Sequence, residues 1–268
     1  MTNSKKKTVT DSKTDSGKKA RKNTTASSKT TIKKTSSKNK RKTINNLNIS
    51  LEELLGAGCH FGHSVSKVNP RMQEYIFSVR DGVHIFDLIK TKNQLEKAIS
   101  YLYKIISEGG KIIFVGTKRQ AVESVEKAAQ KTDMFYVNTR WIGGLLTNWP
   151  EIRKNLDRLE ELNKKLLQKD TSLTKYEIGV LTREQRRLKD LYGGLMGLDG
   201  LPKALFVIDP KKEQTAVREA KRMAIEVIGI VDTNSDPEKI DYVIPANDDA
   251  KASIEYILNK VIEGIKQA

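Results

Sequence analysis

One short stretch limits what this chain can fold into more than any other: Gly109-Gly-Lys-Ile-Ile-Phe-Val-Gly-Thr-Lys-Arg-Gln120. Its centre, Ile112 to Val115, is an unbroken apolar run of β-branched and aromatic residues, which suits a strand buried on both faces. Gly116 permits a tight exit. Thr117, followed three residues later by Gln120, is a capping-box pattern. A helix is therefore predicted over residues 118–131, with Ala121, Val122, Val125, Ala128 and Ala129 turned inward. Such a strand, turn and helix is the repeating unit of an α/β domain. A helix start after a buried strand can also cradle phosphate. Neither Gly-x-x-x-x-Gly-Lys-Ser/Thr nor a post-strand Gly-x-Gly-x-x-Gly occurs in the chain, so a structural turn is the favoured reading.

The charge is unevenly placed. The 268 residues carry 49 Lys and Arg against 33 Asp and Glu, a formal +16. Residues 1–46 hold fifteen of those cations and two Asp, a balance of +13, which leaves the other 222 residues at +3. This opening segment is Lys, Ser, Thr and Asn with almost nothing apolar. It cannot bury enough surface to offset its ordering entropy and is expected to be a disordered basic tail. Its cations suit a polyanion, nucleic acid first and an anionic membrane surface second. The tail has the Ser/Thr content of an organelle transit peptide, but Lys far outnumbers Arg and no amphipathic period runs through it. No apolar run approaches the ~18 residues of a membrane span. The single cysteine, Cys59, excludes an intramolecular disulfide and fits a reducing compartment.

After the tail, Ser50-Leu-Glu-Glu53 is a capping box for a short helix over residues 51–57, stopped by Gly58. Cys59-His60-Phe61-Gly62-His63 follows. Its thiol and imidazoles invite a zinc reading, but His84 is the only other histidine, and a packing role with Gly62 at an unusual φ is favoured. Residues 75–79 and 83–88 read as strands around an Asp81-Gly82 turn, with His84 to Leu88 starting the parallel sheet. A helix over 92–108 turns Leu95, Ala98, Ile99, Leu102, Ile105 and Ile106 inward. Arg140 to Trp149 gathers two tryptophans, two adjacent glycines and a cation, so Trp141 and Trp149 are candidates for docking on a partner or for packing on their own core.

From Pro150 the period becomes helical. Ile152, Leu156, Leu159, Leu162 and Leu166 form a coiled-coil seam, Lys169 to Ser172 a turn, and Thr174-Lys-Tyr-Glu177 another capping box. Residues 150–193 are thus predicted to be an inserted antiparallel helical hairpin. It interrupts an α/β domain made of 47–149 and 194–268. That domain should be a doubly wound, mostly parallel sheet of flavodoxin or Rossmann type. Strands at 204–208, 227–231 and 242–244 alternate with a helix carrying Ala216, Val217, Ala220 and Met223 inward. A final helix is capped by Asn247-Asp248-Asp249. Asp209 and Asp232 stand just past strand ends, the edge where such sheets bind ligands. They are weak candidates for a metal site or for acid–base work, against helix capping and turn chemistry as the plainer reading.

Taken in order, seven stretches resemble the small-subunit ribosomal protein S-two family of bacteria: Gly58-Cys-His-Phe-Gly-His63, Asn69-Pro-Arg-Met72, Lys111 to Lys118, Arg140 to Trp149, Gly200 to Asp209, Ile230 to Pro237 and Ile244 to Asp249. The resemblance runs from about Ile49 onward. It implies a doubly wound domain with a protruding coiled-coil hairpin, a structural role in translation on the small subunit in the cytoplasm, and no catalysis or cofactor. The implied partners are ribosomal RNA and neighbouring small-subunit proteins, including protein S-one where present. Val68 stands where the family usually has Trp, and the basic tail lies outside the family core. Expected phosphate contacts are Lys67, Arg71, Lys118, Arg119 and Arg140. The rival expectation is a nucleotide- or metal-dependent enzyme using Asp209 and Asp232.

Overall fold

The computed structural model describes residues 47–167 and 174–268. The basic tail and the turn expected at 169–172 lie outside the described residues. Ser50 accepts the Glu52 N–H and opens α1 (Leu51–Gly56), and Gly58, at φ +73°, ends the turn that follows. Strands β1 (Phe61–Ser64), β2 (Ile76–Arg80) and β3 (Val83–Phe86) make an antiparallel sheet in the order β1-β3-β2. Asp81 and Gly82 take φ of 52° and 74°, as a two-residue hairpin turn requires. That turn makes β3 run back along β2. The strand expected to start the parallel sheet therefore belongs to a separate sheet. It also ends earlier, because Asp87 accepts the N–H groups of Ile89 and Lys90 and starts α2 (Leu88–Ser107) four residues before the predicted Lys92.

The main sheet has five parallel strands, β4 (Ile112–Val115), β5 (Phe135–Val137), β6 (Ala204–Ile208), β7 (Glu226–Val231) and β8 (Tyr242–Pro245). Their order is β5-β4-β6-β7-β8. The direction of winding reverses between β4 and β6, as in flavodoxin-like sheets. Alternation along the strands splits the core in two. Phe114, Phe206, Ile208, Ile230 and Ile244 meet α2, α3 (Val122–Thr132) and α7 (Lys251–Ile265). Ile113, Val115, Leu205, Val207 and Val231 meet α4 (Trp149–Leu167) and α6 (Gln214–Arg222) on the other face. Both faces are covered, which is why these strands read as unbroken apolar runs.

Thr174 and Glu177 form the predicted capping box at the start of α5 (Lys175–Tyr192). Helix α4 lies against α5. Arg158 forks onto both Glu184 oxygens at 3.0 and 3.1 Å, and Gln185 donates to Asn163. Ile152, Leu156, Leu159 and Leu162 of α4 are buried, as are Leu188 and Tyr192 of α5, whereas Ile178 is 40% exposed.

Three local expectations fail for identifiable reasons. Helix α3 begins at Val122 and its N-cap, Ala121, has no side-chain bond, because the Thr117 hydroxyl donates to Glu213 instead of capping. Met223 is exposed rather than inward: α6 ends at Arg222, and Ala224 at φ +52° swings the chain off the helical stripe. Gly62 does not need a positive φ. A Cβ there would lie 2.6 Å from Thr233 Cγ2 and 3.2 Å from the His84 carbonyl oxygen, so it permits close approach of β1 to the loop after β7 and to β3.

Candidate functional site

The carboxyl ends of the parallel strands carry the residues of most chemical interest. The turn after β4 supplies Lys118, the end of β6 supplies Asp209 at φ +58°, and the end of β7 supplies Asp232. The turn after β8 adds Asp248 and Asp249, held by Asn247 Oδ1, which accepts the N–H groups of Asp249 and Ala250. That asparagine shapes the turn and does not cap α7, whose N-cap Ala250 has no side-chain bond. Strand β1 brings His63 from the small sheet.

These groups converge at the point where the winding reverses. Lys118 Nζ lies 2.8 Å from Asp209, 2.7 Å from Asp248 and 2.8 Å from Asp249. His63 bridges Asp232 at 3.1 Å and Asp249 at 3.3 Å, and its backbone N–H donates to Thr233 Oγ1. Asp232 also accepts from the Thr233 N–H, and Asp209 from the Lys212 N–H. Turn chemistry is therefore present at both residues, but Asp209 does not cap α6, whose N-cap is Glu213 and has no side-chain bond. Beside the cluster, buried Glu213 accepts from the Thr117 backbone and hydroxyl.

Four carboxylates face one ammonium and one imidazole in a space that is largely buried except at Asp249. Burial, then the charges of Asp209 and Asp232, push the Asp248 carboxyl up to about 7, with Lys118 opposing. Burial works against the Lys118 charge, but Asp248, Asp209 and Asp249 outweigh it and hold its pKa above the usual lysine value. The hydrogen bond to Asp232 leads in raising His63, against burial, with further help from the charges around it. Asp248 Oδ2 has no hydrogen-bond partner among the described residues.

His63, Asp248 and Asp249 can each offer one ligand atom within 4.8 Å of the others. That trio contains neither Asp209 nor Asp232, whose oxygens are engaged by Lys118 and by His63 with Thr233. Of the zinc candidates, only His63 reaches the cluster. Cys59 is buried, and burial pushes its thiol up and away from the thiolate a metal needs. The local pattern gave no reason to join His63 or Asp248 to this group. The usable signal was that Asp209, Asp232 and Asp248 each follow a successive parallel strand, which brings them to one edge.

The expected phosphate contacts separate by environment. Lys67, Arg119 and Arg140 are exposed. Arg71 is exposed and forks between Asp236 and Glu238 at 3.1 and 3.0 Å. Lys118, 14% exposed, spends its ammonium on three carboxylates.

The tryptophan-rich loop folds onto its own core around one buried carboxylate. Glu219 of α6 accepts from Trp141 Nε1, the N–H groups of Gly144, Leu146 and Thr147, and the Thr147 hydroxyl, at 2.8 to 3.4 Å. Trp141 thus packs inside, and Trp149 starts α4 half-buried against the same core. Sequence reasoning missed Glu219. Its position beside Ala216 and Ala220 on the inward stripe was the available sign. A family model described as ribosomal protein S2 matches residues 54–268.

Proposed function

The chain belongs to the ribosomal protein S2 family, and on that premise we propose that it is a structural constituent of the small ribosomal subunit. In this reading it supports translation by binding ribosomal RNA and neighbouring small-subunit proteins, protein S-one among them where the cell has it. The observation that carries this is a single family match from residue 54 to residue 268, across almost all of the described chain. The family is structural and not one of enzymes. The place of action is the small subunit in the cytoplasm. No described helix is long and apolar enough to cross a membrane.

Affinity comes from Lys and Arg releasing counterions from RNA phosphates, with the shape of the folded RNA choosing the site. Exposed Lys67, Arg119 and Arg140 are the proposed phosphate contacts, with Arg71 contributing once its carboxylate partners are displaced. Lys118 is assigned a different task, as counter-ion of the aspartate cluster. The α4–α5 pair is read as an antiparallel coiled-coil hairpin standing out from the α/β domain, and the basic tail as a source of non-specific affinity. The test is sedimentation of a cell lysate through a sucrose gradient at moderate and high salt. Co-migration with the small subunit, weakening as salt rises, is the expected result; a protein that stays at the top at every salt overturns the proposal. Calorimetric titration with nucleotides and divalent cations addresses the enzyme alternative, for which saturable binding dependent on Asp209 and Asp232 is expected.

A further inference from the structure

We propose that the outer face of the β1-β3-β2 sheet is a stacking platform for an unpaired segment of the small subunit's ribosomal RNA. This rests on the RNA-binding reading above and gives it a place on the molecule. The strand register sorts the side chains. His84 and Phe86 of β3 are buried, so Val83 and Ile85 point to the opposite face. Ile85 stands opposite Phe61 on β1 and Ser78 on β2. The register shifts between Ile76 and Ser78, which leaves Phe77 beside this row without a partner of its own.

The outcome is a row of Phe61, Ile85 and Ser78 across the three strands, with the exposed ring of Phe77 adjoining Ser78 at the register shift. Phe77 is 75% exposed and Phe61 48%. Two inter-strand spacings put the flanking strands roughly 10 Å apart. The His60 ring lies against Phe61 at 3.9 Å between centroids and limits its swing. Arg80 pairs with Val83 in the next row and is exposed, and Lys67 is exposed just beyond β1; the acids of the same segment are Asp81 at the hairpin tip and Glu74, two residues before β2.

Leaving two large rings in water is unfavourable unless something covers them. Rings backed by cations match a base with its phosphate. The base stacks on the π-face, and the guanidinium or ammonium meets the backbone charge. A purely aliphatic protein surface would need neither the rings nor the cations. Ribosomal RNA is the polyanion that a structural subunit protein meets permanently, which favours it over a passing messenger.

The full-length protein is titrated with a fluorescein-labelled oligouridylate of about twelve nucleotides, at about 0.3 M salt to suppress the electrostatic contribution of the tail. Phe77→Leu keeps apolar area but removes the ring, and is expected to weaken binding about five- to tenfold. Phe77→Trp is expected to hold or improve it. Arg80→Gln should lower the slope of log affinity against log salt by about one contact. Wild-type affinity in Phe77→Leu overturns the proposal. In assembled subunits, p-benzoylphenylalanine in place of Phe77 should photocrosslink to ribosomal RNA. An adduct with protein or messenger, or no adduct, counts against it. Subunit co-sedimentation of the Phe77 variants is unaffected by this inference, so its failure is distinguishable from failure of the ribosomal assignment.

Discussion

Lys118 and Arg119 are adjacent cations at one turn, and nothing local distinguishes them. Their surroundings do. Arg119 is exposed, whereas Lys118 reaches Asp209, Asp248 and Asp249 at 2.7 to 2.8 Å in a largely buried setting. Removing one partner from a buried ion network leaves the remaining charges uncompensated, which costs about 3–5 kcal/mol. Lys118→Met is expected to destabilise the protein by that amount in urea unfolding. Arg119→Met should stay within about 0.5 kcal/mol, the range of ordinary surface changes. The residue-level reading of the sequence placed Asp209 and Asp232 correctly, since a carboxylate just past a buried strand must lie at the sheet edge. It placed Lys118 among phosphate contacts because charge can be read from a letter and burial cannot.

At the scale of elements, strand β4 and the helices flanking it were legible because their apolar period is local. The start of α3 was not. Thr117 carries a capping pattern, but its hydroxyl finds a better acceptor in Glu213, ninety-six positions away. Helix-on-helix contact is equally hidden. Gly264 in α7 reads as a weak point in a helix, where alanine would normally gain about 1 kcal/mol. Here a Cβ would lie 2.1 Å from Ile99 Cγ2 of α2. A β-branched side chain in a helix has almost no alternative rotamer, so α2 cannot make room cheaply. Gly264→Ala is expected to lose about 1–3 kcal/mol, read as a lower midpoint of thermal unfolding. An unchanged or raised midpoint would show that the two helices separate freely.

At the scale of the whole molecule, the aspartate cluster ties the small sheet to the large one and makes stability depend on pH. His63 is raised above its unfolded value by its bond to Asp232, so its stabilisation is complete below about 6.5 and is lost as pH climbs through the higher folded value. Burial raises Asp248 to about 7. The folded protein therefore holds a proton that the unfolded chain releases near 4, and stability falls as pH rises across that interval. Both signs agree. Unfolding free energy is expected to decrease between about pH 5 and pH 8, with Asp248→Asn flattening the lower part of the curve and His63→Asn the upper part. Deleting residues 2–46 should reduce the salt slope of RNA binding and leave the cooperative unfolding of the remainder unchanged; an undiminished slope would remove the tail from the binding mechanism.

The sequence alone determined the alternation of strands and helices, the parallel main sheet and the edge on which Asp209 and Asp232 sit. Each of these follows from hydrophobic period and turn chemistry among near neighbours. Only the tertiary structure decided that β3 leaves the main sheet, that Trp141 turns inward onto Glu219, and that Lys118 meets Asp248 and Asp249 across 130 and 131 positions. Such pairings form once the sheet has closed and water has been excluded. Their partners are chosen by distance through the fold and by the cost of a buried unpaired charge, and neither quantity is written in the local order of residues.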